Sequence, residues 1–173
     1  MPGLISGESD LMILILFALR KLGFPATLET IAELTMSAPG LRSVTYFDVA
    51  SCADSLVKTG HLELSGEEFS LTERGIRNGE ATETDIPFSV RQHTESSALE
   101  ERAKSERRSL IKTSRAIRRD GGYSVELSLS DGKNEILFLR VAAASEAQAE
   151  KTERTFLERA ERVFGAIIGE LSD

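Results

Sequence analysis

The residue types that most often carry catalysis are few in this 173-residue chain, and their spacing is unhelpful. His61 and His93 are the only histidines and Cys52 is the only cysteine. Metal sites draw such ligands from short, regular spacings, and these three have none, so the histidines read as surface or strand-edge residues. Glu67-Glu68 and Glu100-Glu101 are adjacent carboxylates. Neighbours on a strand or helix diverge, whereas a general acid and base must converge on one substrate. The sequence contains no glycine-rich phosphate loop, Gly-x-Ser-x-Gly elbow or His-Glu-x-x-His pair. The expectation is a protein that is not an enzyme and takes no metal or cofactor.

The remaining chemistry is recognition by charge and shape. A composition of 40% apolar and 28% charged residues is that of an ordinary globular chain. A net charge of −7 does not favour a polyanionic partner overall, although binding follows the local field. That field is uneven. Residues 1–80 hold 6 Lys/Arg against 11 Asp/Glu, residues 81–120 hold 9 against 7, and residues 121–173 hold 6 against 10. Between Arg102 and Arg119 lie eight basic residues and one acid, Glu106. Such a stretch either meets phosphates or forms a solvated face that neutralises nearby acidic helices.

The elements that position these groups are legible from periodicity and caps. A first helix is expected from Ser9-Asp10 to Leu22, stopped by Gly23. Its middle, "LMILILFAL", is apolar all round, which implies burial on two sides and points to a partner subunit as the second cover. The nine-residue apolar run Leu11 to Leu19 falls far short of the roughly 20 residues that span a bilayer. Glu8 and Asp10 stand where a signal peptide carries basic residues, and a lone cysteine gives no disulfide framework, so a cytoplasmic protein away from membranes is expected. Thr27 caps a second helix whose Leu28, Ile31, Ala32 and Thr35 share a face. The loop 37–43 follows. Thr45, with Asp48 three residues on, then opens a third helix. Tyr46, Val49, Ala53, Leu56 and Val57 should face inward on it, and Phe47, Ser51, Asp54, Ser55 and Lys58 outward.

After Gly60, "HLELS" and "EFSLT" alternate around Ser65-Gly66-Glu67-Glu68, the pattern of a hairpin with Leu62, Leu64, Phe69 and Leu71 as its inner side. Thr72 to Gly75 opens a short helix or turn, and a boundary is expected at 79–85. Pro87 suits the first turn of a long helix running to about Lys112. Tight turns at Asp120-Gly121-Gly122 and Asp131 to Asn134 separate "TSRAIRR", "GYSVELSLS" and "NEILFLRVA", which gives an antiparallel three-stranded meander. The first of these, 113–119, also fits the end of the preceding helix. Val125, Leu127 and Leu129, with Ile136, Phe138 and Arg140, are the residues to be covered by helices. Ser145 and Gln148 cap a final helix to about Leu171, with Ala149, Thr152, Phe156, Ala160, Val163, Phe164, Ile167 and Ile168 on its apolar side.

Three helices, a hairpin and "SLTERG", in that order, form the arrangement of a winged helix-turn-helix domain. The stretch "ADSLVKTGHLELSGEEFSLTERG" resembles the third helix and wing of PadR-like and MarR-like bacterial regulators. Over its whole length the chain resembles a bacterial family of uncharacterised winged-helix proteins, through Tyr46-Phe47, Ile86-Pro87, Gly122-Tyr123-Ser124-Val125 and the helix from Ala147 to Phe164. The resemblance implies an α+β protein: a winged helix-turn-helix domain at 1–80, then a C-terminal domain at 86–173 of long helix, meander and final helix. It also implies a transcriptional regulator that binds double-stranded DNA.

In such a regulator the exposed side of the third helix enters the major groove. The residues placed to do so are Arg42, Ser43, Thr45, Phe47, Ser51 and Lys58. The helix itself carries no Arg, Asn or Gln, the usual bidentate readers of purines, while Asp48 and Asp54 oppose the backbone charge. Phe47 either packs against the turn between helices or touches thymine methyl groups. Two functions follow. One is a homodimeric DNA-binding regulator, joined through the first and last helices, with no effector that the residues identify. The alternative is a winged-helix module that docks a protein and not DNA.

Overall fold

The computed structural model describes residues 7–41 and 44–172. Among the described residues the fold is mixed α+β, with six α-helices and two three-stranded antiparallel sheets. The elements are α1 (Glu8–Leu22), β1 (Ala26–Thr27), α2 (Leu28–Met36), α3 (Tyr46–Lys58), β2 (Leu62–Ser65), β3 (Glu68–Leu71) and α4 (Glu73–Ala81). A 3-10 turn at Glu83–Asp85 leads to α5 (Phe88–Ser109), β4 (Ile111–Ile117), β5 (Tyr123–Ser130), β6 (Glu135–Ala143) and α6 (Glu146–Leu171). The chain divides into two compact units, Met1–Ala103 and Lys104–Asp173. None of the described helices is long and apolar enough to cross a membrane.

In the first unit α1 is the central helix. Ile15, Leu16, Leu19 and Leu22 pack with Ile31 and Ala32 of α2, Val49, Ala53 and Leu56 of α3, and Leu62 and Phe69 of the hairpin. On its other side Leu14 and Phe17 cluster with Ala38, Ile86 and Val90. The second cover of this all-round apolar helix is therefore the chain's own entry into α5, where the sequence had pointed to a partner subunit. The same contact places the start of α5 in the core of the first unit, beyond the expected boundary at 79–85.

The hairpin closes through a two-residue connection, with Ser65 opposite Glu68, Leu64 opposite Phe69 and Leu62 opposite Leu71. Gly66 begins that connection at φ 64°, the left-handed conformation that glycine adopts without steric cost. β1 pairs with the other side of β3, Ala26 opposite Phe69, which gives the strand order β1-β3-β2. Leu64 was expected inside but is 46% exposed. It lies on an edge strand, whereas its partner Phe69 is buried on the middle strand.

The second unit is the expected meander, order β4-β5-β6, with α6 across one face. Residues 111–117 form a strand and not the end of a helix; α5 stops at Ser109, and the Leu110 carbonyl accepts from the Ser130 amide at 2.8 Å. The register sets Val125, Leu127 and Leu129 opposite Val141, Leu139 and Leu137, so these six share the face under α6. Phe138 and Arg140 lie on the opposite, open face, and Ile136, without a partner on β5 at the register irregularity, is exposed as well, which corrects their expected burial. Both parities of β6 are apolar, so alternation alone cannot choose between them. The choice falls to the hairpin register and its irregularity at Leu129/Ser130. On α6, Ala149, Phe156 and Ala160 are buried, while Ile168 is 46% and Leu171 77% exposed at its far end.

Candidate nucleic-acid interface

The outer face of α3 is built by its N-terminal cap. The Thr45 hydroxyl accepts from the Asp48 amide at 3.3 Å and donates to Asp48 Oδ2 at 2.7 Å. The Thr45 amide donates to the same carboxylate oxygen at 2.8 Å, completing a capping box. These hydrogen bonds hold the Asp48 carboxyl below the usual aspartate range. They also commit Thr45: its hydroxyl fixes the helix start and is not a spare group for base contact. Arg42 and Ser43, two of the six expected contact residues, lie outside the described residues.

Beyond the cap, Val49, Cys52, Ala53 and Leu56 anchor α3 in the core. At helical spacing this leaves Phe47, Ser51, Asp54 and Lys58 along one exposed stripe, spanning about 16 Å at 1.5 Å per residue. Phe47 is 79% exposed and, among the described residues, does not pack against the turn between helices. Tyr46, expected to face inward, is 50% exposed beside it. Sequence reasoning placed Phe47 outward but missed the exposure of Tyr46, which lies at the edge of the apolar arc in the first turn of α3.

The far end of α3 is locked to the hairpin and α4. The Thr72 hydroxyl donates to the carbonyls of Gly60 at 2.8 Å and His61 at 3.1 Å, and accepts from the Gly75 amide at 3.1 Å as the cap of α4. Arg74 Nη1 donates to the Thr59 carbonyl at 2.8 Å. The His61 ring lies between the Thr59 hydroxyl, 2.8 Å from Nδ1, and Asn78 Nδ2, 2.6 Å from Nε2. Burial, with the Arg74 charge adding to it, pushes His61 below its ordinary value. His61 is thus a joint in the frame that carries the stripe. His93 contacts the Ser37 hydroxyl at 3.3 Å.

The charge of the first unit opposes a polyanion: it holds 8 Lys/Arg against 16 Asp/Glu. Glu67 and Glu68 are exposed at the hairpin tip. Within the basic stretch, Arg115 is engaged by three carboxylates of α6, Glu150 at 3.1 Å, Glu153 at 3.6 Å and Glu146 at 3.9 Å. Arg118 pairs with Asp120. The Arg115 pairs follow the expected neutralisation of an acidic helix and the Arg118 pair lies within the turn between β4 and β5, while Arg107 and Arg108 stand exposed at the end of α5.

A cleft of about 380 Å³ lies in the first unit, lined by Leu19, Arg20, Phe24, Pro25, Leu71 and Ile76. Its one cation, Arg20, is held by Glu83 at 3.0 Å and Glu80 at 3.9 Å, so the cleft presents mainly apolar surface.

No curated protein and no solved structure matches the chain. A family model described as a domain of unknown function (DUF4364) matches residues 11–171, which takes in the capped α3, the hairpin and both units. The chain therefore belongs to the DUF4364 family of proteins.

Proposed function

We propose that the protein is a winged-helix DNA-binding regulator, acting as a homodimer, with α3 as its reading helix and β2-β3 as its wing. The observation that carries this reading is the stripe on α3. A core-anchored helix presents Phe47, Ser51 and Lys58 outward, backed by a sheet of order β1-β3-β2 in the helix–strand–helix–helix–hairpin sequence of winged-helix domains, as in PadR-like and MarR-like regulators. Phe47 supplies apolar contact for thymine methyl groups and Ser51 a hydrogen bond to a base edge. Lys58 and Arg42 supply phosphate contacts. The wing tip, with Glu67 and Glu68, takes no part in holding phosphate.

Binding of the full chain to fragmented genomic DNA across a salt series tests this. The expected result is selective retention of particular fragments, with affinity falling steeply as salt rises. Ser51→Glu should abolish that retention without altering the fold. Absence of selectivity at every salt concentration would overturn the reading.

One observation favours a second reading, in which the same face docks a protein. Tyr46 and Phe47 are both exposed in the first turn of α3, a helix that also exposes Asp48 and Asp54, on a unit with twice as many acidic as basic residues. Exposed aromatics are enriched at protein interfaces. A partner so bound would show shallow salt dependence, in contrast to DNA.

A further inference from the structure

We infer that the free edge of β6 is where a second copy of this chain docks, by antiparallel pairing of β6 with β6 across a two-fold axis. The inference rests on the homodimer part of the proposed function and on no DNA contact. In the sheet order β4-β5-β6, both outer strands present unpaired backbone N–H and C=O groups. Proteins guard such edges with charge, proline, bulges or short length.

The two edges are treated differently. β4 and the residues after it carry four cations; carboxylates engage Arg115 and Arg118, which leaves Lys112 and Arg119 as like charges that pairing of β4 with itself would bring onto one edge. β6 is nine residues, "EILFLRVAA", with no proline and no lysine, and its one register irregularity, at Ile136, lies near its start and leaves 137–143 regular. Its one cation, Arg140, already has a counter-ion: Nε and Nη2 donate to Glu126 Oε1 at 3.1 and 2.8 Å. Glu135, its one acid, accepts from the Ser128 hydroxyl at 2.6 Å and in a pair centred on Phe138 lies opposite Val141, so a β6 pair sets no like charges directly against each other.

The side chains point the same way. Ile136, Phe138 and Val141 are 39, 46 and 40% exposed. On the α6 side the helix leaves an apolar groove of about 430 Å³, lined by Leu127, Leu139, Phe156 and Val163 with Thr152 and Thr155 on its flank.

An identical strand is the natural complement. Directly opposed residues in an antiparallel pair face the same side. A pair centred on Phe138 sets Leu137 against Leu139 of the second copy under the helices, and the two Phe138 rings together on the open face. The edge alone offers nine residues per copy, against about 20–30 per side in a standard interface, so the α6 flank around the groove must close with it.

Sedimentation velocity of the full chain without DNA should show a species of twice the 18.9 kDa chain mass at micromolar concentration. Phe138→Lys combined with Val141→Lys, at positions exposed in the single chain, should weaken association by about 30-fold or more. Ile168→Glu, at the exposed end of α6, should leave it intact. Hydrogen exchange on the unmodified protein supplies a readout that needs no variant: amides of 135–143 should gain protection as concentration rises. A monomeric unmodified protein, a dimer that survives the double lysine variant or dissolves with Ile168→Glu, or protection gained only outside 135–143 would each overturn the inference. Because DNA is absent, none of these outcomes bears on the reading of α3.

Discussion

Gly75 and His61 meet backbone to backbone: a Cβ on Gly75 would lie 2.1 Å from the His61 carbonyl oxygen. That carbonyl is fixed in turn, accepting from the Thr72 amide and hydroxyl, both at 3.1 Å. The "LTERG" signature thus has a physical basis. Threonine caps α4 and ties it to the end of α3, and glycine permits the close approach. Gly75→Ala should destabilise the first unit by about 2–3 kcal/mol, because backbone and not a flexible side chain must give way. Urea denaturation checks this; a loss under about 0.5 kcal/mol would mean that the junction is not rigid.

Thr94 on α5 is fully buried, and its hydroxyl has no hydrogen-bond partner among the described residues. Thr94→Val keeps the shape and removes the unpaired polar group, so it should stabilise by about 1 kcal/mol. A higher denaturation midpoint with unchanged slope is the expected result. A destabilised variant would show that the hydroxyl is satisfied in solution.

Local signals were readable where the physics is local. Thr27, Thr45, Thr72 and Ser145 all cap the helices that their residue types announce, because a cap needs only an amide two or three residues away. The hairpin and the meander followed from turn residues for the same reason. Long-range choices were not readable. Nothing near "LMILILFAL" says that Ile86 and Val90 will cover Leu14 and Phe17, so the run looked like half of an interface. Ile136 and Phe138 were misplaced because both faces of β6 are apolar, and one residue of register exchanges them. On α3 the outward stripe with Phe47 was legible from its period, and the exposure of Tyr46 was not.

Cys52 is buried on α3, with its thiol 3.7 Å from the Glu8 carbonyl. Burial, with the charges of Glu8 and Asp48 adding to it, pushes the thiol from 9.0 up to about 11. The folded state thus disfavours the thiolate. Its contribution to stability is fully present below pH 9.0 and is lost as pH rises from there through about 11. At mildly alkaline pH the native thiol should resist a thiolate-seeking reagent, and denaturant should release rapid labelling. Fast labelling of the native protein would contradict this placement.

Phe47 offers the sharpest test of the α3 face, because its side chain is 79% exposed and supports nothing beneath it. Phe47→Ala should change stability by no more than about 0.5 kcal/mol. If α3 reads DNA, the variant should bind more weakly with an unchanged salt slope, since no phosphate contact has been removed. Lys58→Ala should do the reverse, lowering the slope by about one while weakening all sequences alike. If the face docks a protein, Phe47→Ala should cost about 2 kcal/mol or more of binding, and salt should matter little in either variant. A stability loss above about 1 kcal/mol would instead make Phe47 a packing residue and remove it from both interfaces. The two slopes together therefore separate the readings on any fragment that the protein retains, whatever its sequence.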